Sequence, residues 1–186
     1  MPLIQFLKTK VSLSSEMYAL IDDSFAYEEH AKGAIFLNPN NLSKKLIFLE
    51  KGLYRTFHFV DNKQVTHYFW DKGTFNSPIE SIFYDQKAPY GWEAIETCHI
   101  RSIDYKNFEK ILLLSEDFNA YSREYLANLI SILQDRILGL QFRTAEERYA
   151  LFLKDFPKIA HRVPLGHLAS YLGITQQTLS VIRAKK

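Results

Sequence analysis

The residues best placed to do chemistry lie close to the C-terminus, in the run from Pro164 to Arg183, which reads as two short helices joined at a glycine. Pro164 suits a first helical turn, Leu168, Ala169 and Leu172 make one apolar face, and Gly173 supplies the tight turn. Ile174 closes the corner, and Thr175 is the expected N-cap of a second helix whose inner face is Leu179 and Ile182. Gln176, Gln177, Ser180, Val181 and Arg183 are left on or near the outer face. A side-chain amide can both donate to and accept from adenine in the DNA major groove, and Arg183, Lys185 and Lys186 could neutralise phosphates. The pattern is that of a helix-turn-helix, with Thr175, Gln176, Gln177, Ser180, Arg183, Lys185 and Lys186 as candidate DNA contacts.

A two-helix corner can also be purely structural, and charge separates the two readings. From Phe156 onward the sequence holds Lys158, Arg162, Arg183, Lys185 and Lys186 and no acidic residue, so this segment carries +5 against −3 for the rest, within a net charge of +2. A basic module of this kind suits a polyanion, which favours DNA.

Those helices need a scaffold. At 186 residues the chain suits one ordinary domain or two small ones, and 47% hydrophobic with 24% charged residues excludes wholesale disorder. Between about residues 33 and 105 short strands alternate with turns: Lys45 to Glu50, Leu53 to Val60, Gln64 to Trp70, Gly91 to Ile95 and Cys98 to Ile103. Asp61-Asn62-Lys63 marks a hairpin, and the absence of long helices between strands argues for a β-barrel or sandwich. From Tyr105 the pattern turns helical, with Ser115 as N-cap of a long helix. Its apolar positions Tyr121, Tyr125, Leu129, Leu133, Ile137 and Leu140 recur in steps of three or four. Leu126, Ile130, Ile132 and Leu138 widen that stripe beyond what one small barrel needs to cover, which favours a dimerisation helix over one buried within its own domain. Thr144-Ala-Glu-Glu147 fits a capping box for a further helix ending near Phe156-Pro157.

Other chemistries find less support. The six histidines include no pair at metal-ligand spacing, although His58 and His67 could meet across the hairpin in a cupin-like metal site. Cys98, the single cysteine, excludes an internal disulfide or a cysteine-ligated cluster and reads as a small buried hydrophobe. Asp22-Asp23 and Glu28-Glu29 suit a solvated loop or helix face. No Gly-rich phosphate loop or nucleophile elbow is present, so no enzyme activity, metal or cofactor is expected. The aromatics from Phe57 to Trp92 could line a pocket or fill the barrel. No apolar run is long enough for a membrane span and the first residues lack a signal-peptide pattern, so a cytoplasmic location is expected.

The strand-rich half, the long helix, Glu147-Arg148-Tyr149, Phe156-Pro157 and the run Ala169 to Thr175 together resemble the Crp/Fnr family of transcription regulators over essentially the whole chain, most closely its compact members. The resemblance implies a cyclic-nucleotide-binding-like jelly roll, a dimerisation helix and a DNA-binding domain. Members that bind cyclic AMP carry a cassette with a Gly-Glu pair and, further along, an Arg-Ser or Arg-Thr pair on the cyclic phosphate. Here the matching segment keeps Gly73 and Phe75 but has Ser77-Pro78 and Ala88-Pro89 at those positions. A buried phosphate without a guanidinium is strongly disfavoured, and Lys87 lacks the planar fork, so cyclic AMP is not the expected effector. Val181 and Gln177 stand where similar sequences carry arginine and glutamate, which implies weakened or re-aimed DNA recognition.

The expected fold is α+β: an N-terminal β-roll (double-stranded β-helix or jelly roll) over 1–114, a dimerisation helix over 115–143 and an all-α helix-turn-helix domain over 144–186. The candidate ligand pocket is Phe75, Ser77, Glu80, Lys87 and Tyr90, and the dimer contact is Tyr121, Tyr125, Leu129, Leu133 and Ile137. Expected partners are a palindromic duplex operator and a second copy of the chain, with RNA polymerase as a further candidate and no membrane. The competing reading is a ligand-binding or interaction module that has lost DNA binding, and a cupin-type enzyme stands third.

Overall fold

A computed structural model describes residues 1–184. Helices α1 (Leu3–Lys8) and α2 (Ser15–Ser24) precede the strands β1 (Ala26–His30), β2 (Ile35–Leu37), β3 (Lys45–Lys51), β4 (Leu53–Val60), β5 (Lys63–Asp71) and β6 (Phe75–Asn76). A short helix α3 (Ile79–Phe83) leads to β7 (Gly91–Ala94) and β8 (Cys98–Asp104). The chain then becomes helical: α4 (Tyr105–Leu113), α5 (Glu116–Phe142), α6 (Ala145–Asp155), α7 (Leu165–Leu172) and α8 (Gln176–Ala184).

Among the described residues the strands form two four-stranded antiparallel sheets, ordered β1-β8-β3-β6 and β2-β7-β4-β5. The expected mixed α and β architecture, with a β-roll, a long helix and C-terminal helices, is what the chain adopts. Asp61 and Asn62 both take positive φ and close the β4–β5 hairpin between Val60 and Lys63, as a primed two-residue turn requires. Gly52, at φ +100°, turns β3 into β4 where a Cβ would lie 2.5 Å from the Thr97 carbonyl oxygen.

Aromatic side chains fill the interior of the roll. Tyr54 stacks with Trp70 at 6.1 Å between ring centroids, Phe36 and Trp92 close around it, and the Trp70 indole donates to Thr56 Oγ1 at 2.8 Å. Cys98 is buried, donates to the Leu53 and Glu96 carbonyls, and has its thiol pushed up to about 11 by burial, as an inert core residue should. Glu28 and Glu29, expected on a loop or helix face, lie on β1 instead, where Glu28 accepts from Lys45 Nζ at 2.7 Å. The N-terminal helices, which the sequence pattern did not announce, seal the outer side of the β1-β8-β3-β6 sheet: Leu3, Phe6 and Leu7 are buried, and Phe6 lies 5.1 Å from Phe48 on β3.

The C-terminal helices dock on the roll along β5, an edge strand. Phe69 on β5 meets Tyr171 on α7 at 5.2 Å and Phe152 on α6 at 6.1 Å, and the Thr66 backbone N–H donates to Ser170 Oγ at 3.1 Å. Between α6 and α7, Arg162 forks onto both oxygens of Glu96 at 2.7 Å and reaches Asp71 Oδ1 at 3.1 Å. This guanidinium holds the Glu96 carboxyl below its ordinary value of 4.5. A depressed carboxyl contributes stability above its unfolded pKa and loses it as pH falls through the folded one. Replacing Arg162 by Met should therefore cost roughly 1 kcal/mol at neutral pH, with the deficit shrinking below about pH 4. Urea titrations across pH check this, and a deficit that stays constant into acid would remove the ion pair from the account.

Candidate nucleic-acid interface

Helix α7 ends as its sequence dictates. Gly173 adopts the left-handed conformation at φ +67°, and the Ile174 N–H reaches back to the Ala169 carbonyl at 3.0 Å. Thr175 Oγ1 then accepts from the Thr178 N–H at 3.1 Å and starts α8. Leu179 and Ile182 are buried beneath α8, while Gln176, Gln177, Ser180, Val181 and Arg183 are exposed. Successive residues turn by about 100°, which puts Gln177, Ser180 and Val181 at the centre of the outward face and Gln176 and Arg183 along one flank.

That face presents amides, a hydroxyl, one valine and one guanidinium, with no carboxylate on α8. Gln176 lies against the start of α7, its Nε2 only 2.8 Å from where a Cβ on Gly166 would stand. The Arg183 guanidinium sits 5.8 Å from the Tyr149 ring on α6 and forms no ion pair among the described residues. Lys185 and Lys186, the other expected phosphate contacts, lie outside the described residues.

The other expected sites are distributed differently. Phe75 and Ser77 line a cavity of about 90 Å³ between the roll and the start of α5. Glu80, Lys87 and Tyr90 are not part of its wall: the Tyr90 hydroxyl donates to Glu80 Oε2 at 2.8 Å, and Lys87 is exposed. Asn76, Ile79 and Phe83 join Phe75 and Ser77 from the same segment, and the rest of the wall comes from distant segments, chiefly Leu46, Phe108, Phe118 and Tyr121. Tyr125 joins α5 to the cavity floor by accepting from the Phe75 N–H at 2.8 Å and donating to the Phe75 carbonyl at 2.9 Å. Such a lining suits a small apolar guest and offers a phosphate no cation.

Helix α5 has two apolar faces. Tyr121, Tyr125 and Leu129 turn toward the roll, where Tyr121 and Leu129 line the cavity, so these expected dimer contacts are spent on the chain's own core. Leu133 is half-buried and Ile137 is 54% exposed. The more exposed stripe is Leu126, which also lines the cavity, Ile130, Leu133, Ile137 and Leu140, spaced alternately four and three residues apart, the repeat of a coiled-coil seam. His58 and His67 do meet across the hairpin at 5.4 Å between rings, with Tyr90 beside His58. Burial and then His58 push His67 down to about 4. Among the described residues no three metal-ligating side chains gather, and no helix is long and apolar enough to cross a membrane.

No family model and no curated protein matches the chain. Solved structures do. A CooA mutant from Carboxydothermus hydrogenoformans aligns with a TM-score of 0.74 at 22% identity, over 96% of this chain and 81% of that one. The c-di-GMP-responsive global regulator CLP of Xanthomonas campestris gives 0.73 at 14% identity, over 92% and 91%. A protein from Eubacterium rectale, described as a transcriptional regulator of the Crp/Fnr family, gives 0.69 at 19% identity, over 91% and 82%. At such identities the likeness is one of fold: a β-roll, a long helix and a helical C-terminal region in the arrangement of Crp/Fnr-type regulators.

Proposed function

We propose that this chain is a homodimeric, sequence-specific DNA-binding regulator whose recognition helix is α8. The observation that carries the reading is the outward face of α8: polar and cationic side chains stand exposed on a helix anchored from behind by Leu179 and Ile182. The fold shared with known regulators supports it. Gln177 and Ser180 would read base edges, and Val181, exposed at 52%, is suited to the methyl group of thymine. Arg183 would sit on a phosphate. The valine thus changes what the helix prefers rather than disarming it.

Pairing would run along the α5 seam. Exposed Leu126, Ile130, Ile137 and Leu140, with half-buried Leu133, give a second copy an apolar stripe to cover. A two-fold dimer calls for a palindromic operator with half-sites about one helical turn apart. The apolar cavity under Tyr125 would take a small apolar effector rather than a cyclic nucleotide.

Selection from a random duplex pool should return a palindrome. On that site, Arg183→Ala should weaken binding and lower the salt slope by about 1, whereas Gln177→Ala should relax preference at one base pair by roughly 1–3 kcal/mol. Recovery of no preferred sequence at any salt concentration would leave the fold as a ligand-binding or interaction module. Independently, the pair Ile130→Glu and Ile137→Glu should convert a dimer into a monomer in light scattering, with Tyr121→Phe leaving it dimeric. A dimer that survives both charges would place the contact elsewhere.

A further inference from the structure

A second, larger cavity lies where α5, α6, α7 and β5 converge. Its volume is about 370 Å³, within the range of small-molecule sites. Tyr68, Phe152, Phe156 and Tyr171 form its aromatic side. The wall also carries three guanidiniums, Arg136 and Arg143 from the end of α5 and Arg148 from α6, the first of them lying directly on Tyr171. Asp135 and Asp155 stand on the same wall, both exposed.

None of the three arginines forms an ion pair among the described residues. Arg136 gives one N–H to the Tyr171 carbonyl at 2.9 Å and stacks over the Tyr171 ring at 3.7 Å. Arg148 gives one to the Leu172 carbonyl at 2.9 Å and one to the Arg143 carbonyl at 2.6 Å. The Arg143 side chain makes no hydrogen bond among the described residues, though the exposed Glu147 carboxyl is lowered by the Thr144 backbone N–H and, with it, by the Arg143 charge. Each guanidinium carries five N–H donors, so most of this capacity is not spent on the chain itself. Burial disfavours the charge of Arg136, and nearby Arg148 adds to that cost. A cation kept in such a place with no ion-pair partner among the described residues, and with only the exposed Asp135 and Asp155 for carboxylates on the wall, is well matched to an anion that arrives from solution.

We propose that this cavity binds a small organic oxyanion, a carboxylate or phosphate monoester on an aromatic body, with the oxyanion on Arg136, Arg143 and Arg148 and the ring against Tyr68, beside the Arg136–Tyr171 stack. The site lies on the inner side of α5, away from most of the outward seam. Its walls are the elements that fix the place of α8. An effect of the ligand on DNA affinity rests on the function proposed above; binding itself does not.

Calorimetry of the full chain with phenyl phosphate, benzoate, inorganic phosphate and phenol tests the site without DNA. Phenyl phosphate or benzoate should saturate at one per chain, and phenol should not bind. Inorganic phosphate, lacking the ring, should bind about tenfold more weakly or not at all. Which of the two ring-bearing anions binds tells phosphate from carboxylate. Arg143→Gln, which removes no hydrogen bond of the folded chain, should weaken binding about tenfold with unchanged thermal unfolding. Arg136→Lys keeps the charge, loses the fork and should weaken binding as well. Tyr68 and Tyr171 ring resonances should shift on titration while Tyr121 and Tyr125, at the smaller cavity, stay put. Absence of saturable binding by both ring-bearing anions, or binding indifferent to Arg143→Gln, would overturn the assignment.

Discussion

The contact on which the rest of the structure depends is the seating of α7 on the edge strand β5. An edge strand exposes backbone donors and acceptors that must be paired, covered or blunted. Here Ser170 takes the Thr66 N–H, and Phe69, Phe152 and Tyr171 close an aromatic seal over it. Beneath α7 lies the buried Arg55, which donates to Glu93 Oε2 at 2.7 Å and to Thr66 Oγ1 at 3.0 Å. The pair is held in place by hydrogen bonds on several sides, which is the condition under which a buried ion pair is tolerated. Because α7 spends its apolar face on the roll, α8 is left to stand outside it, held by Leu179 and Ile182 alone among its own buried residues.

The long helix solves a second problem, that of covering the roll while leaving a stripe free. Side chains four apart drift about 40° around a helix, whereas alternating steps of four and three hold one line. Tyr121, Tyr125, Leu129, Leu133 and Ile137 follow steps of four, so that series walks from the cavity out to solvent. Leu126, Ile130, Leu133, Ile137 and Leu140 hold one line, with Leu126 and Leu140 reaching the rims of the two cavities and Ile130 and Ile137 facing solvent. The two series meet at Leu133 and Ile137, and the stripe, which begins at the rim of the smaller cavity where Leu126 lines it, is most exposed at Ile130 and Ile137.

What was legible in the sequence was whatever a short run of residues decides. Asp61-Asn62 makes its turn, Thr144 and Glu147 make their reciprocal cap, and Gly173 ends α7, each by bonds within a few positions. The strands from β3 onward were legible for the same reason, through alternation and punctuation. Helix α1 was not, since six residues carry too little periodicity to stand out. The candidate pocket was only half legible: Phe75 and Ser77 belong to it, but Leu46, Phe108 and Phe118 reach it from remote segments, and no local spacing records that meeting. The arginine-lined cavity escaped notice likewise, because Arg136, Arg148 and Tyr171 become neighbours only when α7 docks.

That docking also joins the outward stripe of α5 to the turn that aims α8. Arg136 and Arg148 bond the carbonyls of Tyr171 and Leu172, at the C-terminal end of α7 where unpaired carbonyls attract cations. Leu140, the last residue of the stripe, has its Cδ2 only 3.6 Å from where a Cβ on Gly173 would stand. The seam, the two arginines and the turn therefore form one continuous set of contacts. A shift of α5 along or about its axis would pull on the end of α7, and with it on Gly173 and the start of α8. The cavity wall that carries Arg136 and Arg148 belongs to that same set of contacts.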